Sequence, residues 1–217
     1  MVELMIGLFL AMLLTAAMLL SYTFLVRSLI RSSNQQQLEA QSRRALQMLS
    51  QDVHVADKIA SAYDPTKDIT QDSTWQIMPT ARQVTFRLSV PNGSGGTYIY
   101  AVTYVYDTIA GALTRTVSSG ISSGTPPSGL NASPLTLLTG LPKADPLTGL
   151  PKAGDPPLWS GFNFFDHQNL PATNTFGIKQ IEASNFTVSA GTATIGTQSS
   201  YTVASARLVL RSKHIVN

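Results

Sequence analysis

The chain has 217 residues, 43% hydrophobic and only 12% charged, so it can bury a sizeable core and long disorder is not expected. Its 23 serines and 23 threonines outnumber its 27 charged residues, so hydroxyls and amides wet its exterior more than ions do. The absence of cysteine excludes a disulfide scaffold, a thiol nucleophile and Cys-based zinc or iron–sulfur sites. A formal charge of +3 comes from 15 scattered Lys and Arg, too sparse for a nucleic-acid footprint, so no nucleic-acid binding is predicted.

Residues 4–26 (LMIGLFLAMLLTAAMLLSYTFLV) contain no charge and no proline. A helix of that length is about 35 Å long, enough to cross a hydrocarbon layer of roughly 30 Å. A signal peptide has an apolar core of only about 7–15 residues and then a small-residue cleavage site. The run predicts a retained membrane anchor over 1–26. Glu3 is the charge preceding it, whereas Arg27, Arg31, Arg43 and Arg44 follow. The positive-inside rule taken literally leaves the C-terminal bulk in the cytoplasm. Glu3 abuts the apolar run, where a buried carboxylate needs a partner; at the headgroup level it stays wet.

From residue 27 to 62 the helical period continues on one side. Leu38, Ala45, Leu46, Leu49, Val53, Ala56, Ile59 and Ala60 recur at three- and four-residue spacing. Gly and Pro are absent between Leu8 and Tyr63, and Asp64-Pro65 is the predicted stop. The expectation is one helix of about 60 residues, roughly 90 Å long. Its front half is apolar all round, and its back half packs on a domain of the same chain.

Beyond residue 63 the period becomes two. Val84, Phe86, Leu88 and Val90 alternate with Thr85, Arg87 and Ser89 in a half-buried strand. The loop Pro91-Asn92-Gly93-Ser94-Gly95-Gly96 leads to a return strand over 98–106, and 112–117 reads as a third, giving a meander. Tyr98, Tyr100, Tyr104 and Tyr106 share one face of the return strand, expected under the long helix. Of residues 118–157, 24 of 40 are Gly, Ser, Thr or Pro, predicting a long loop. Within it the heptapeptide LTGLPKA occurs at 138–144 and again at 147–153, read as a duplication in a surface loop. Residues 158–165 read as a strand. Segments 178–189 and 201–212 read as a last hairpin with Ala204, Ala206, Leu208 and Leu210 inward. The layout is α+β: a long helix packed on an antiparallel sheet domain spanning 63–217.

No catalytic constellation emerges. His54, His167 and His214 lie far apart in no ligand spacing, and no GxSxG, Walker-type or dinucleotide motif occurs. Asp64, Asp68 and Asp72 recur every four residues, a conceivable calcium cluster, but Pro65 and Lys67 interrupt it and EF-hand spacing is absent. No cofactor and no enzymatic activity are expected.

The opening Met1-Val2-Glu3-Leu4-Met5-Ile6-Gly7, followed by the apolar run, resembles the mature N-terminus of type IV pilin-like proteins. That family's pattern is aromatic–Thr–Leu–aliphatic–Glu–Leu–Met after a short basic leader ending in Gly. Val2-Glu3-Leu4-Met5 matches its aliphatic–Glu–Leu–Met part, and Met1 stands where the family has Leu. The sequence QSRRALQMLSQD at 41–52 looks like the helix of PilW-like minor pilins and J-type pseudopilins. VTYVYD at 102–107, Leu113-Thr-Arg115 and ARLVLR at 206–211 look like their sheet. The resemblance implies a non-enzymatic minor pilin or pseudopilin of a type IV pilus or type II secretion filament. It implies as partners other pilins through the N-terminal helix, the bacterial inner membrane before assembly, and a prepilin peptidase. The processing site would lie upstream of Met1, and a basic leader there would turn the C-terminal domain to the periplasm. It assigns Glu3 to pairing with a neighbouring subunit's terminal amine. The alternative expectation is a single-pass membrane-anchored adhesin or binding module displaying the 118–157 loop.

Overall fold

The computed structural model describes residues 2–60, 75–91, 97–119, 134–151, 157–183, 186–190, 199–203 and 206–210. One helix, α1, runs without interruption over Val2–Val55. Its residues between Val2 and Gln37 contribute nothing to the core, and burial begins at Leu38. From there Leu38, Ser42, Ala45, Leu49, Asp52 and Val53 are buried, a seam with alternating four- and three-residue steps. The small side chains of Ser42 and Ala45 let the helix backbone approach the sheet closely. The Ser42 hydroxyl donates back to the Leu38 carbonyl at 2.8 Å, so its burial leaves no unpaired donor.

The helix stops earlier than its sequence predicts. Ala56–Ala60, expected on the helical stripe, is strand β1, antiparallel to β2 (Gln83–Pro91), with a bulge between Ala56 and Lys58. No local breaker ends the helix at Val55. The strand gains cross-strand hydrogen bonds and buries Ile59 against the main core and Ala60 on the opposite face, so tertiary packing overrides helix propensity. The extended backbone needs side chains on alternate faces, which Ile59 and Ala60 supply as well as a helix stripe would.

β2 continues through β3 (Thr97–Asp107), β4 (Ala112–Ser119) and β5 (Leu135–Thr139), a five-stranded antiparallel meander in the order β1-β2-β3-β4-β5. The inner face carries Val84, Phe86 and Leu88 of β2, then Tyr98, Tyr100, Val102, Tyr104 and Tyr106 of β3, all buried in one cluster with the helix seam. The tyrosine face is therefore core, as expected. Phe86 and Tyr104 pack edge to face with centroids 5.8 Å apart. The outer face is partly covered too: Trp75 closes over Ala60 and Ala101, while the Thr85 and Thr103 hydroxyls pair at 3.0 Å.

Two expectations about the chain's second half need correction. The predicted loop at 118–157 contains β5, whose Leu137 and Leu138 are buried. Averaging over Gly, Ser, Thr and Pro hid the short leucine cluster that seats this edge strand. The strand predicted over 158–165 is limited to β6 (Phe162–Phe165); Trp159 instead packs edge to face on Tyr106 and Phe162. The last hairpin forms as β7 (Gln180–Ala183) with β10 (Ala206–Val209) and β8 (Phe186–Ala190) with β9 (Ser199–Val203). Ala183 faces Ala206 and Phe186 faces Val203, so both pairings share one register. β6 joins β7 to give the sheet order β10-β7-β6. Leu210 is buried and Val209 exposed, in the predicted phase; Ala204 lies outside the described residues.

At the β1 edge, Arg87 Nε stands 3.6 Å from an Asp57 carboxylate oxygen. Burial raises the Asp57 pKa above its ordinary value, and the Arg87 charge offsets this only in part. The folded state therefore binds the Asp57 proton more tightly than the unfolded chain. That contribution is complete below the unfolded pKa near 3.8 and is lost as pH rises through the folded value. Asp57→Asn is expected to gain stability relative to wild type on going from pH 4 to pH 7. Thermal unfolding of both chains in detergent at the two pH values checks it; a difference that stays constant with pH overturns it.

Candidate functional site

The part of the molecule its own fold leaves unfinished is the first half of α1. Sixteen large apolar residues between Val2 and Leu25 are each more than half exposed, on every side of the helix. Covering them is worth on the order of 20 kcal/mol at about 1.5 kcal/mol or more per side chain, a surface water does not leave bare. The two threonines inside the run are satisfied locally. Thr15 Oγ1 donates to the carbonyls of Ala11 and Met12 at 3.1 and 2.9 Å, and Thr23 Oγ1 to Leu20 at 2.9 Å. Hydroxyls that close on their own helix need no water, the condition a helix must meet in hydrocarbon. Tyr22 stands near the end of the run and Arg27 and Arg31 follow it, the arrangement of an aromatic and cationic boundary at headgroups.

Glu3 occupies the first turn of this helix and is exposed, its carboxylate placed where the positive end of the helix dipole favours it. It lies 35 residues before Leu38, about 50 Å along the axis, so among the described residues none of the globular body comes near it. Of the other candidates, His54 is exposed at the helix end, its Nδ1 2.7 Å from the Ser50 carbonyl oxygen, and His167 is exposed in a turn. His214 and the Asp64, Asp68 and Asp72 cluster lie outside the described residues. Among the described residues no group of three His, Asp or Glu gathers in a metal-holding arrangement.

The feature sequence reading missed is how the free half is held by the bound half. Asp52, a charged residue within the helix seam, faces the sheet. Its carboxylate accepts from Arg115 Nε at 2.8 Å, from Arg115 Nη2 at 3.1 Å, and from the Tyr104 hydroxyl at 2.6 Å. Burial opposes the Arg115 charge, but the hydrogen bonds and charge of Asp52 outweigh it and raise the guanidinium pKa further. Burial and the Asp52 charge together push the Tyr104 phenol well above its usual range, so it remains a donor. A bidentate pair in a mostly dry seam fixes both rotation and translation of α1 on the sheet. The signal was present in the sequence: Arg115 is in phase with the buried Leu113 and Val117, and Asp52 lies three residues after Leu49.

These features define an α+β protein carrying one N-terminal helix long and apolar enough to cross a membrane. No family model, curated protein or solved structure matches the chain.

Proposed function

We propose that this chain is a non-enzymatic assembly subunit, a pilin-like minor pilin or pseudopilin that helps initiate or cap a type IV pilus or type II secretion filament. The observation that carries the reading is a single continuous helix with two environments. Its front half begins Val2-Glu3-Leu4-Met5 and is apolar on every side, while its back half is clamped to a sheet domain. Such a helix sits in lipid as a single-pass anchor of the bacterial inner membrane, with the domain in the periplasm, and exchanges lipid for neighbouring helices when the filament forms. In that packed core a charge is stable only when paired, and Glu3 meets the terminal amine of an adjacent subunit. Other pilins, the membrane and a prepilin peptidase are the partners this role requires.

Glu3→Val is expected to leave the amount of protein in the membrane fraction unchanged while lowering its share in sheared filaments at least tenfold. Immunoblots of both fractions from the native cell check this, and normal incorporation of the variant would sink the pairing. The second reading, a membrane-anchored binding module, draws on the turn around Leu147, whose side chain is 94% exposed. It is favoured if the protein functions in cells lacking every other pilin-like subunit.

A further inference from the structure

The duplicated heptapeptide LTGLPKA occupies two opposite environments. In the first copy the leucines and the backbone groups are seated in the fold. Leu138 is buried opposite Leu113, the Gly140 carbonyl accepts from the Ser189 amide at 2.9 Å, and the Leu141 amide donates to Gly111 at 3.0 Å. The Pro142 carbonyl accepts the Tyr106 hydroxyl at 2.6 Å, and the Ala144 amide donates to Thr108 at 2.8 Å. Gly140 has φ +82°, and a Cβ there would collide with the Ser189 carbonyl, so this seat demands glycine. The second copy repeats all seven residues at 147–153, yet Leu147 is 94% and Leu150 65% exposed. Its Gly149 already has φ +68°, with nothing near its Cβ position to require it. Asp145 holds this turn, accepting from the Leu147 and Gly149 amides and donating to the Leu150 carbonyl.

The two ends of the excursion meet at one side chain. Tyr106 bonds Pro142 through its hydroxyl and packs its ring 5.3 Å from Trp159. If the second copy took the seat, Pro151 would stand where Pro142 is, leaving eight residues to reach Trp159. Eight residues extend to about 26 Å, far more than the width of one tyrosine. The connection before β5 would lengthen by nine residues, which costs little because closure entropy grows only with the logarithm of length. What separates the two registers is the residues entering the seat. The first copy is preceded by Leu135-Thr136-Leu137, with Leu137 buried, and the second by Ala144-Asp145-Pro146, which fills less space and has one amide fewer for the ladder.

We infer that β5 has two registers nine residues apart: the first copy seated in the ground state and the second in a minor state. The exchange moves nine residues of loop from one side of the edge strand to the other without unfolding the rest of the sheet. It changes which loop the domain displays while every hydrogen bond of the heptapeptide seat is remade by the same residue types.

The test uses the full chain in detergent. Because the protein has no cysteine, Ala112→Cys with Thr148→Cys reports the minor register, since Ala112 faces Thr139 in the ground state. Adding Leu141→Asn places a polar group in the first copy's buried seat and is expected to raise the rate of that disulfide at least tenfold with the fold retained. Adding Leu150→Asn as well is expected to unfold the chain, because neither copy can then fill the seat, whereas Leu150→Asn alone leaves the melting temperature unchanged. The inference is overturned if the disulfide forms at the same rate with and without Leu141→Asn. It is equally overturned if Leu141→Asn unfolds the chain whether or not Leu150 is intact.

Discussion

Arg115→Ala is expected to destabilise the chain by about 3–5 kcal/mol, the cost of leaving a buried carboxylate without its partner. Among the described residues Asp52 then retains only the Tyr104 hydroxyl as a side-chain partner, and the helix seam admits little water around it. The reciprocal change, Asp52→Ala, strands the guanidinium and is expected to cost a similar amount. Neither number measures what the pair contributes, because desolvating both ions offsets most of their attraction. Asp52→Leu combined with Arg115→Met is therefore expected to recover most of the lost stability. Thermal unfolding of the three variants in detergent decides it: if the double variant is as unstable as either single one, the pair adds net stability beyond its own burial cost. Recovery of stability without tight helix docking would show instead that the ion pair fixes geometry. A loosened seam would appear as increased protease cleavage near residue 38.

Gly161→Ala is expected to cost about 3 kcal/mol or more. Gly161 has φ +88°, and a Cβ there would overlap the Ala81 carbonyl oxygen. That same oxygen accepts the Phe162 amide at 2.8 Å, so it cannot retreat without releasing the start of β6. Gly149→Ala is the matched control. It shares the positive φ but meets nothing within 4 Å, so only the backbone preference of roughly 1–2 kcal/mol is lost. A difference of less than about 1 kcal/mol between the two variants would mean the 81–82 segment yields, and that β6 is not pinned by this close approach. Both values come from the same unfolding transition, so the comparison cancels any effect of detergent.

Much of the fold could be read from periodicity. The uncharged run, the helical stripe from Leu38 to Val53 and the alternation at Val84, Phe86 and Leu88 each state which face is covered, because apolar burial is local in its demand for side chains. The end of the helix could not be read that way. Ala56, Ile59 and Ala60 satisfy a helical stripe and a two-sided strand equally, and only the open edge of β2 settles the choice. β5 was hidden for a related reason: a five-residue edge strand inside a Pro- and Gly-rich stretch has too few residues to establish a period.

The candidate site divides in the same manner. The resemblance at Val2-Glu3-Leu4-Met5, and the expectation that the front of the helix seeks an apolar surrounding, rest on consecutive residues and require no fold. The sequence by itself determined the apolar helix, the tyrosine face of β3 and the antiparallel layout, since each follows from which side chains shun water. Only the tertiary structure decided that Asp52, Tyr104 and Arg115 converge, being 52 and 11 residues apart along the chain. It alone decided which copy of LTGLPKA is buried, because the seven residues are identical and the choice is made only where the segment before them packs, with Leu137 buried at the β4 edge.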